Sequence, residues 1–518
     1  MAAATDRVEF PDRDIASFVL ERAVDFGGKP ALVEGASGRA ISYVELERAT
    51  RAFAAGLATR GVGPGETVGI FMPNLPEYAI AFHGTARRGA RATTANPLYT
   101  ARELAHQLGD AAAKLLLTVP PFLSVAGEAA AIAGVEEIFV VGESGGARPL
   151  AELLGDPDEV PEAAIDPAND LAALPYSSGT TGLPKGVMLT HANLVANLTQ
   201  IQDAVPISSH DVLLGVLPFF HIYGQNLIMN QGLWRGATIV TMARFDLEQF
   251  LDLVERYRVT RLYVVPPIAL ALAKHPAVDA HDLSSVELIL SGAAPLGAEL
   301  ADQVEERLGC RVVQGYGLTE TSPVTHVIRS DAENRPGSIG PALVGTECRL
   351  IDPLTETEAA PGEAGELWIR GPQVMAGYLN NPAATAETLD SDGWLRSGDI
   401  ARVDEDGYYT IVDRLKELIK YKGFQVPPAE LEAILIAHPQ VADVAVIGVP
   451  DEEAGELPKA FVVGSGGTVD ADALIDYVAA QVAPQKRIRL VEQIDEIPRS
   501  PSGKILRRVL KDRDPAVG

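Results

Sequence analysis

The sequence predicts a large, mostly α/β N-terminal region followed by a small α+β domain, and three observations lead there. From residue 42 to 116, helix-like stretches alternate with short apolar runs, the pattern of helices layered on a sheet. Between about 337 and 411 the texture changes to short strand-like segments separated by turn signals. A charged patch, Asp413-Arg414-Leu415-Lys416-Glu417, then breaks the apolar pattern with about a hundred residues still to come, enough for a small domain.

In chain order, residues 45–57 read as a helix and 67–72 as a strand. Further strands are predicted at 137–141, 212–217, 238–242, 261–265 and 288–290, with helices at 247–257 and 300–308 among them. Apolar Leu171-Ala172-Ala173-Leu174 and Val187-Met188-Leu189 flank a loop rich in Gly, Ser and Thr, as a strand–loop–strand hairpin requires. Pro361-Gly362, Asp392-Gly393 and Asp406-Gly407 punctuate the β-rich stretch. Beyond the charged patch, Pro428 opens a helix whose Leu431, Ile434 and Leu435 share one face. Asp470 caps another that carries Leu474, Val478 and Val482, and 441–449 and 460–463 supply strands. The predicted division is 1–413 and 414–518.

At 518 residues, 47% hydrophobic and 22% charged, the chain is too long for one core and can bury a large site. Its net charge of −27 argues against a general nucleic-acid or anionic-membrane binder, so any phosphate site must be local. Cys310 and Cys348 are the only cysteines, too few for a disulfide framework or a cysteine-rich metal site. They suit buried positions in a reducing compartment. The start has no secretory apolar region, no run approaches about 18 uncharged apolar residues, and the last residues carry no peroxisomal tripeptide. A soluble cytoplasmic protein is expected, with no membrane span.

The loop Tyr176-Ser177-Ser178-Gly179-Thr180-Thr181-Gly182-Leu183-Pro184-Lys185-Gly186 combines hydroxyl donors, glycines that let backbone N–H groups approach phosphate, and one cation. It is not a Walker loop, because Lys185 is followed by Gly and the glycine spacing differs. A flexible linker has similar composition, but the flanking strands argue for a hairpin. Gln314-Gly315-Tyr316-Gly317-Leu318-Thr319-Glu320 follows the strand-like Arg311-Val312-Val313, and loops at strand ends build α/β active sites. It reads either as a plain turn or as a phosphate hydroxyl beside a carboxylate able to hold Mg²⁺. Ser397-Gly398-Asp399 is either an Asp turn or a carboxylate for both ribose hydroxyls. Taken singly, Lys504 in Ser502-Gly503-Lys504 reads as a solvated cation, and His221 in Pro218-Phe219-Phe220-His221-Ile222-Tyr223 as a packed histidine.

Together and in this order, these motifs and Asp413 to Lys416 resemble the adenylate-forming acyl-CoA synthetase superfamily over essentially the whole chain. Ser291-Gly292-Ala293-Ala294-Pro295-Leu296-Gly297, residues 377–390 and residues 413–426 are similar, more narrowly, to 4-coumarate–CoA ligases and their bacterial relatives. The resemblance implies a large domain of two α/β subdomains plus a distorted β-barrel, and a mobile C-terminal domain. It implies ATP, Mg²⁺ and CoA, with acyl-AMP as the intermediate. Ser177, Ser178, Gly179, Thr180, Thr181 and Lys185 would hold the β and γ phosphates, Thr319 would help at phosphate, and Glu320 would ligate the metal. Gln314 and Gly315 would frame adenine, and Asp399 and Arg414 would take the ribose. Lys504 would bridge the acid and the α-phosphate; a flexible point cation suits that role. Rotation about Lys416 would withdraw it and present Lys420, Lys422, Gly423 and Gln425, with Lys422, Gly423 and Arg244 contacting CoA.

His221, Tyr223, Gly224, Leu227, Ala293, Gly317, Pro323 and Val324 would surround the acyl group. Residues 218–232 contain no carboxylate to pair with an amino-acid ammonium, which disfavours amino-acid activation. Leu290 stands where plant coumarate ligases often carry Lys, and Leu367 and Trp368 stand within their usual Gly-Glu-Ile-Cys-Ile-Arg-Gly run. Hydroxycinnamate, cinnamate, other aryl acids and a medium-chain fatty acid all remain open as substrates. A luciferase-like oxygenase and a non-enzymatic nucleotide-binding protein are the competing functions. Fourteen residues follow Lys504, so no fused carrier protein is expected, and the protein is expected to be a monomer or homodimer.

Overall fold

Strands buried on both faces dominate the large region, as the continuous apolar runs require: every residue of Thr67–Phe71 is buried. The computed structural model describes residues 9–142, 147–177, 184–335, 337–353, 355–422, 424–451, 453–500 and 503–513. Two eight-stranded sheets form its bulk. One is ordered Val324–Val327, Arg311–Gly317, Leu288–Ser291, Arg261–Val264, Val212–Gly215, Thr238–Thr241, Pro30–Glu34, Ala40–Ser42. Its inner strands run parallel and each edge strand is antiparallel. The other is ordered Gly377–Tyr378, Lys185–Thr190, Leu171–Ser177, Arg91–Thr94, Thr67–Phe71, Ala113–Thr118, Glu137–Val140, Arg148–Pro149. Helices between consecutive strands cover the faces, and one apolar core runs from Ile15 to Ala401.

The predicted hairpin is present: Leu171–Ser177 and Lys185–Thr190 pair antiparallel, with Ser177 opposite Lys185. Predicted strands and helices recur within a residue or two at most ends. The first of the predicted helices, now Tyr43–Thr59, starts earlier because Ser42 and Glu45 form a reciprocal capping box. In the β-rich stretch, Glu347–Ile351, Gly365–Arg370, Leu395–Val403 and Tyr409–Arg414 make a four-stranded antiparallel sheet. Its outer strands do not pair with each other among the described residues, so the expected distorted barrel takes the form of an open sheet. Gly393 and Gly407 turn with φ of +82° and +84°, where a side chain would be strained.

A second core lies wholly within residues 419–510. Strands Val441–Asp451 and Gly455–Gly464 pair antiparallel at its centre, joined by Ile419–Tyr421, Phe424–Val426 and Leu490–Gln493. The two-residue period sorts their side chains. Val444, Val446, Ala460 and Val462 face helices Pro428–Ile436 and Ala471–Ala479, while Ala445, Ile447, Val449 and Phe461 pack with Ile494, Ile497 and Leu510. Asp470 caps the second helix through Ala473 N as expected, but that helix ends at Ala479, so Val482 lies beyond it.

Asp413, in the charged patch that breaks the apolar pattern, is 4% exposed. Of the two free cysteines Cys310 is buried and Cys348 is only partly so. No helix among the described residues is long and apolar enough to cross a membrane.

Candidate active site

The hairpin carries Ser177 and Lys185 to the C-terminal end of one sheet, and the strand Arg311–Gly317 of the other sheet feeds a short helical turn, Thr319–Thr321, that brings Glu320 to meet them. Ser177 Oγ donates to Glu320 Oε1 at 2.9 Å and Tyr378 OH donates to the same oxygen at 2.8 Å. Lys185 Nζ lies 4.8 Å from the centre of the Tyr378 ring. One carboxylate, one ammonium and two hydroxyls thus converge where the motifs placed phosphate chemistry. Burial and the Glu320 carboxylate raise the Tyr378 phenol well above its usual value, so it remains a donor. Thr319 is mostly buried in the same turn.

Asp399 and Arg414 sit opposite each other on adjacent antiparallel strands, a register that makes their pairing a consequence of the sheet. Arg414 Nε lies 3.1 Å from Asp399 Oδ1, and Tyr316 OH donates to Asp399 Oδ2 at 2.5 Å. Asp399 is 3% exposed, and a buried carboxylate survives only when paired and hydrogen-bonded. Gln314 is also buried; its Oε1 accepts from Leu296 N at 3.1 Å, tying the loop after Ser291 to the end of the neighbouring strand.

Lys504 comes from the small C-terminal unit. Gly503, at φ +80°, lets its turn press against the large region, where an added Cβ would stand 3.1 Å from Val265 Cβ. Burial pulls the Lys504 ammonium below the usual lysine range and Arg414 acts the same way, while Asp399, Glu320 and Glu417 pull it back up. The solvated cation expected from the isolated motif is therefore replaced by a partly buried one that feels the charges of Asp399, Glu320 and Arg414. His221 feels it too: burial first, and Lys504 second, hold its imidazole down to about 3. His221 Nδ1 accepts from Tyr223 N at 3.2 Å, which assigns the proton of the neutral ring to Nε2.

Of the residues expected around an acyl group, Tyr223, Gly224 and Leu227 lie on a widened helical turn, Tyr223–Asn230, all eight of whose residues are buried. The widening shows in Gln231 N donating to Asn226 O, five residues back. Tyr223 OH donates to Leu290 O at 3.0 Å, and a Cβ added at Gly292 would stand 3.2 Å from Tyr223 Cε1. Ala293 holds φ +68°, a strained value for a side-chain-bearing residue. Gly317 and Val324 are paired across two strands, and a Cβ on Gly317 would stand 1.8 Å from Pro323 O. Gly224 is equally constrained, with Pro218 O 2.4 Å from such an atom.

Other expected residues stand apart. Lys420 and Lys422 are exposed, with backbone N–H bonds to Glu456 Oε2 and Ala454 O, and no hydrogen bond or ion pair joins them to the cleft among the described residues. Arg244 is exposed and lines a separate cavity of about 280 Å³ with Glu34, Asn74, Asp246 and Gln249. Lys416 is exposed in the turn after Tyr409–Arg414. Gly315 is partly buried and pairs with Val327. Ser178, Gly179, Thr180, Thr181, Gly423 and the Gln425 side chain lie outside the described residues. Tyr316 and Tyr378 had no expected part, although both lie inside motifs singled out in the sequence; for Tyr316 a phenol beside the expected Gly315 was the available signal.

The chain matches the AMP-binding enzyme family over residues 19–379 and the AMP-binding enzyme C-terminal domain over 430–504. It is 46% identical over 519 residues to 4-coumarate–CoA ligase 5 of Oryza sativa subsp. japonica, covering 97% of this chain and 95% of that protein. The ATP-bound structure of MatB from Rhodopseudomonas palustris aligns with a TM-score of 0.87 at 32% identity, covering 97% of this chain and 99% of that one. The anthranilate CoA ligase AuaEII, in complex with anthranoyl-AMP, aligns with a TM-score of 0.89 at 28% identity, covering 99% and 98%.

Proposed function

We infer, from the premise that this chain belongs to the AMP-binding enzyme family, that it joins an aryl carboxylic acid of the hydroxycinnamate or cinnamate kind to CoA. It is an AMP-forming acid–CoA ligase that works through an acyl-adenylate with ATP and CoA as co-substrates. The observation that carries the site assignment is the convergence of Ser177, Lys185, Glu320 and Tyr378, with the turn that bears Lys504 pressed against the large region at Val265 although it comes from the small unit.

A carboxylate is a poor acyl electrophile because oxide is an impossible leaving group. Attack of its oxygen on the α-phosphorus breaks the bond to the bridging oxygen and releases pyrophosphate; the thiolate of CoA then attacks the acyl carbon and AMP leaves. In the first step two anions must meet, and the Lys504 ammonium bridges them. Lys185 and the Ser177 to Thr181 loop grip the departing phosphates. Asp399, oriented by Tyr316 and Arg414, accepts from the ribose hydroxyls. Thr319 donates to phosphate, and Gln314 and Gly315 border the adenine. Glu320, a hard oxygen donor beside Ser177, Lys185 and Tyr378, fits Mg²⁺ bound jointly with phosphate, since both hydroxyl bonds engage Oε1 and leave Oε2 for the ion. When bound, Mg²⁺ neutralises charge on the leaving pyrophosphate.

His221 Nε2–H, neutral at physiological pH, donates toward the acyl carboxylate, while Tyr223, Gly224, Leu227, Ala293, Gly317, Pro323 and Val324 form the slot. The large domain is 1–413 and the small one 414–518, with the hinge at exposed Lys416. Rotation there would bring Lys420, Lys422, Gly423 and Gln425 toward AMP and CoA, with Arg244 across from them. Because Tyr223 OH is engaged by Leu290 O and Leu227 is wholly apolar, a medium-chain fatty acid is the second reading. Hydroxycinnamic, cinnamic, benzoic and C6 to C12 acids, each assayed with ATP, Mg²⁺ and CoA for thioester and AMP, decide it. Preference for a C6 to C12 acid would overturn the aryl assignment, and turnover only with a carrier protein in place of CoA would overturn the ligase reading.

A further inference from the structure

The helix Pro428–Ile436 opens without a cap of its own: Pro427 precedes it and offers no side-chain acceptor for the first-turn N–H groups. Asp413 supplies the missing acceptor from outside. Its Oδ2 accepts from Ala429 N at 3.0 Å and its Oδ1 from its neighbour Arg414 N at 2.7 Å. That helix carries Glu432, which accepts from Val446 N at 2.7 Å and binds Arg507 through both oxygens, at 2.6 and 3.1 Å. Arg507 Nε also reaches Glu417 Oε2, at 2.8 Å, in the turn that follows Arg414. Arg507 lies three residues after Lys504 and opens the helix Arg507–Arg513. A continuous chain of bonds thus runs from the strand that carries Arg414, through the first helix of the small domain, to the segment that carries Lys504.

We propose that Asp413 is a positioning residue for adenylation: by capping Pro428–Ile436 across the hinge, it holds the small domain where Lys504 reaches the cleft. This rests on the assignment of Lys504 to the adenylation step. Asp413 lies on the large-domain side of Lys416 and Ala429 on the other, so rotation about Lys416 must break this bond while leaving Arg507 with Glu417 and Glu432. The bond therefore stabilises one domain orientation and not the other, which is what distinguishes a latch from a fold-wide contact. The surroundings of Asp413 suit a latch, because it is 4% exposed and taking a carboxylate out of water is unfavourable unless donors meet it.

The test separates the two half-reactions in the full-length protein. In Asp413→Ala, acid-dependent exchange of pyrophosphate into ATP should fall about tenfold, the size of a strong capping interaction read as an equilibrium shift. Thioester formation from supplied acyl-AMP and CoA should stay within about twofold of the parent or rise. Asp413→Asn, which keeps an acceptor for Ala429 N, should recover most of the exchange. Equal loss in both half-reactions, or no loss in either, would overturn the proposal. Lys504→Ala run alongside should lose exchange; if it kept exchange, the reading of the cleft would fail first and the latch with it.

Discussion

The two sides of the cleft are held by different physics. The proposed nucleotide side is assembled from charges and hydroxyls delivered by separate parts of the chain: Ser177, Glu320 and Tyr378 from three elements, Asp399 and Arg414 from a third sheet, Lys504 from the small domain. The proposed acyl side is an extension of the core, with Tyr223, Leu227 and Val324 almost fully buried and glycines packed against backbone. If the small unit rotates as proposed, the charge it carries can be withdrawn between half-reactions, whereas a slot built into the core keeps one shape and would discriminate among acids. The difference predicts that nucleotide-side changes act on rate and ATP affinity, and acyl-side changes on the choice of acid.

Lys504→Ala should break this division most visibly. Exchange of pyrophosphate should fall on the order of a hundredfold or more, as for the loss of a preorganised group at developing charge, while acid-binding selectivity is kept. An equal loss when acyl-AMP is supplied to the variant would show that Lys504 also serves the second step. Asp399→Asn comes next. It keeps the shape but removes the charge that Tyr316 and Arg414 orient, so the KM for ATP should rise about tenfold to a hundredfold, the value of a hydrogen bond to a charged acceptor. The KM for the acid should change little; if both rose together, the two sides would not be separable.

Gly292→Ala probes the other side with a smaller effect. Its Cβ would stand 3.2 Å from Tyr223 Cε1, close enough to push the ring without breaking backbone packing. The KM for the bulkiest accepted acid should rise about tenfold relative to the smallest, roughly the value of one methylene in a tight pocket. The KM for ATP should not follow.

Contiguous chemistry was legible in the sequence and non-local chemistry was not. The hairpin around Ser177 and Lys185 and the turn bearing Glu320 each lie within a motif whose residue types declare their chemistry; Asp399 and Arg414 were both singled out, but their pairing across adjacent strands was not. The widened turn Tyr223–Asn230 was not legible, because one extra residue per turn defeats the 3.6-residue period used to read helices. Nor was the burial of Asp413: its partner Ala429 is sixteen residues away, and a run of charged letters gives no sign of a helix lacking its own cap. Arg507 with Glu417 and Glu432 spans 90 and 75 residues, a separation no local pattern carries. Tyr378 failed to register as part of the site because its role depends on a strand of two residues at a sheet edge.

The mildest expected effect concerns pH. A histidine at a binding site ordinarily titrates near pH 6.5, and acid binding that relied on its charge would weaken as pH rose through that value. His221 is held down to about 3 by burial and by Lys504, so it stays neutral and keeps its Nε2–H from about pH 5 to 8. The KM for the acid should then be flat over about pH 5.5 to 7.5, with the imidazole contributing no inflection. Stability carries the opposite dependence, because the unfolded chain takes up a proton at this residue below about pH 6.5 while the folded chain does not. His326, wholly buried and likewise held to about 3, adds a second such proton. Stability should therefore fall as pH drops from about 6.5 toward 4, by up to two protons' worth, about 2.7 kcal/mol per pH unit from these two rings. The slope is read from urea unfolding midpoints of the parent and His326→Gln, in which one proton's share should vanish. A KM that rose with an inflection near 6.5 and lost it in His221→Gln would mean that the imidazole binds as a cation, and the acyl side would then share the charged character of the nucleotide side.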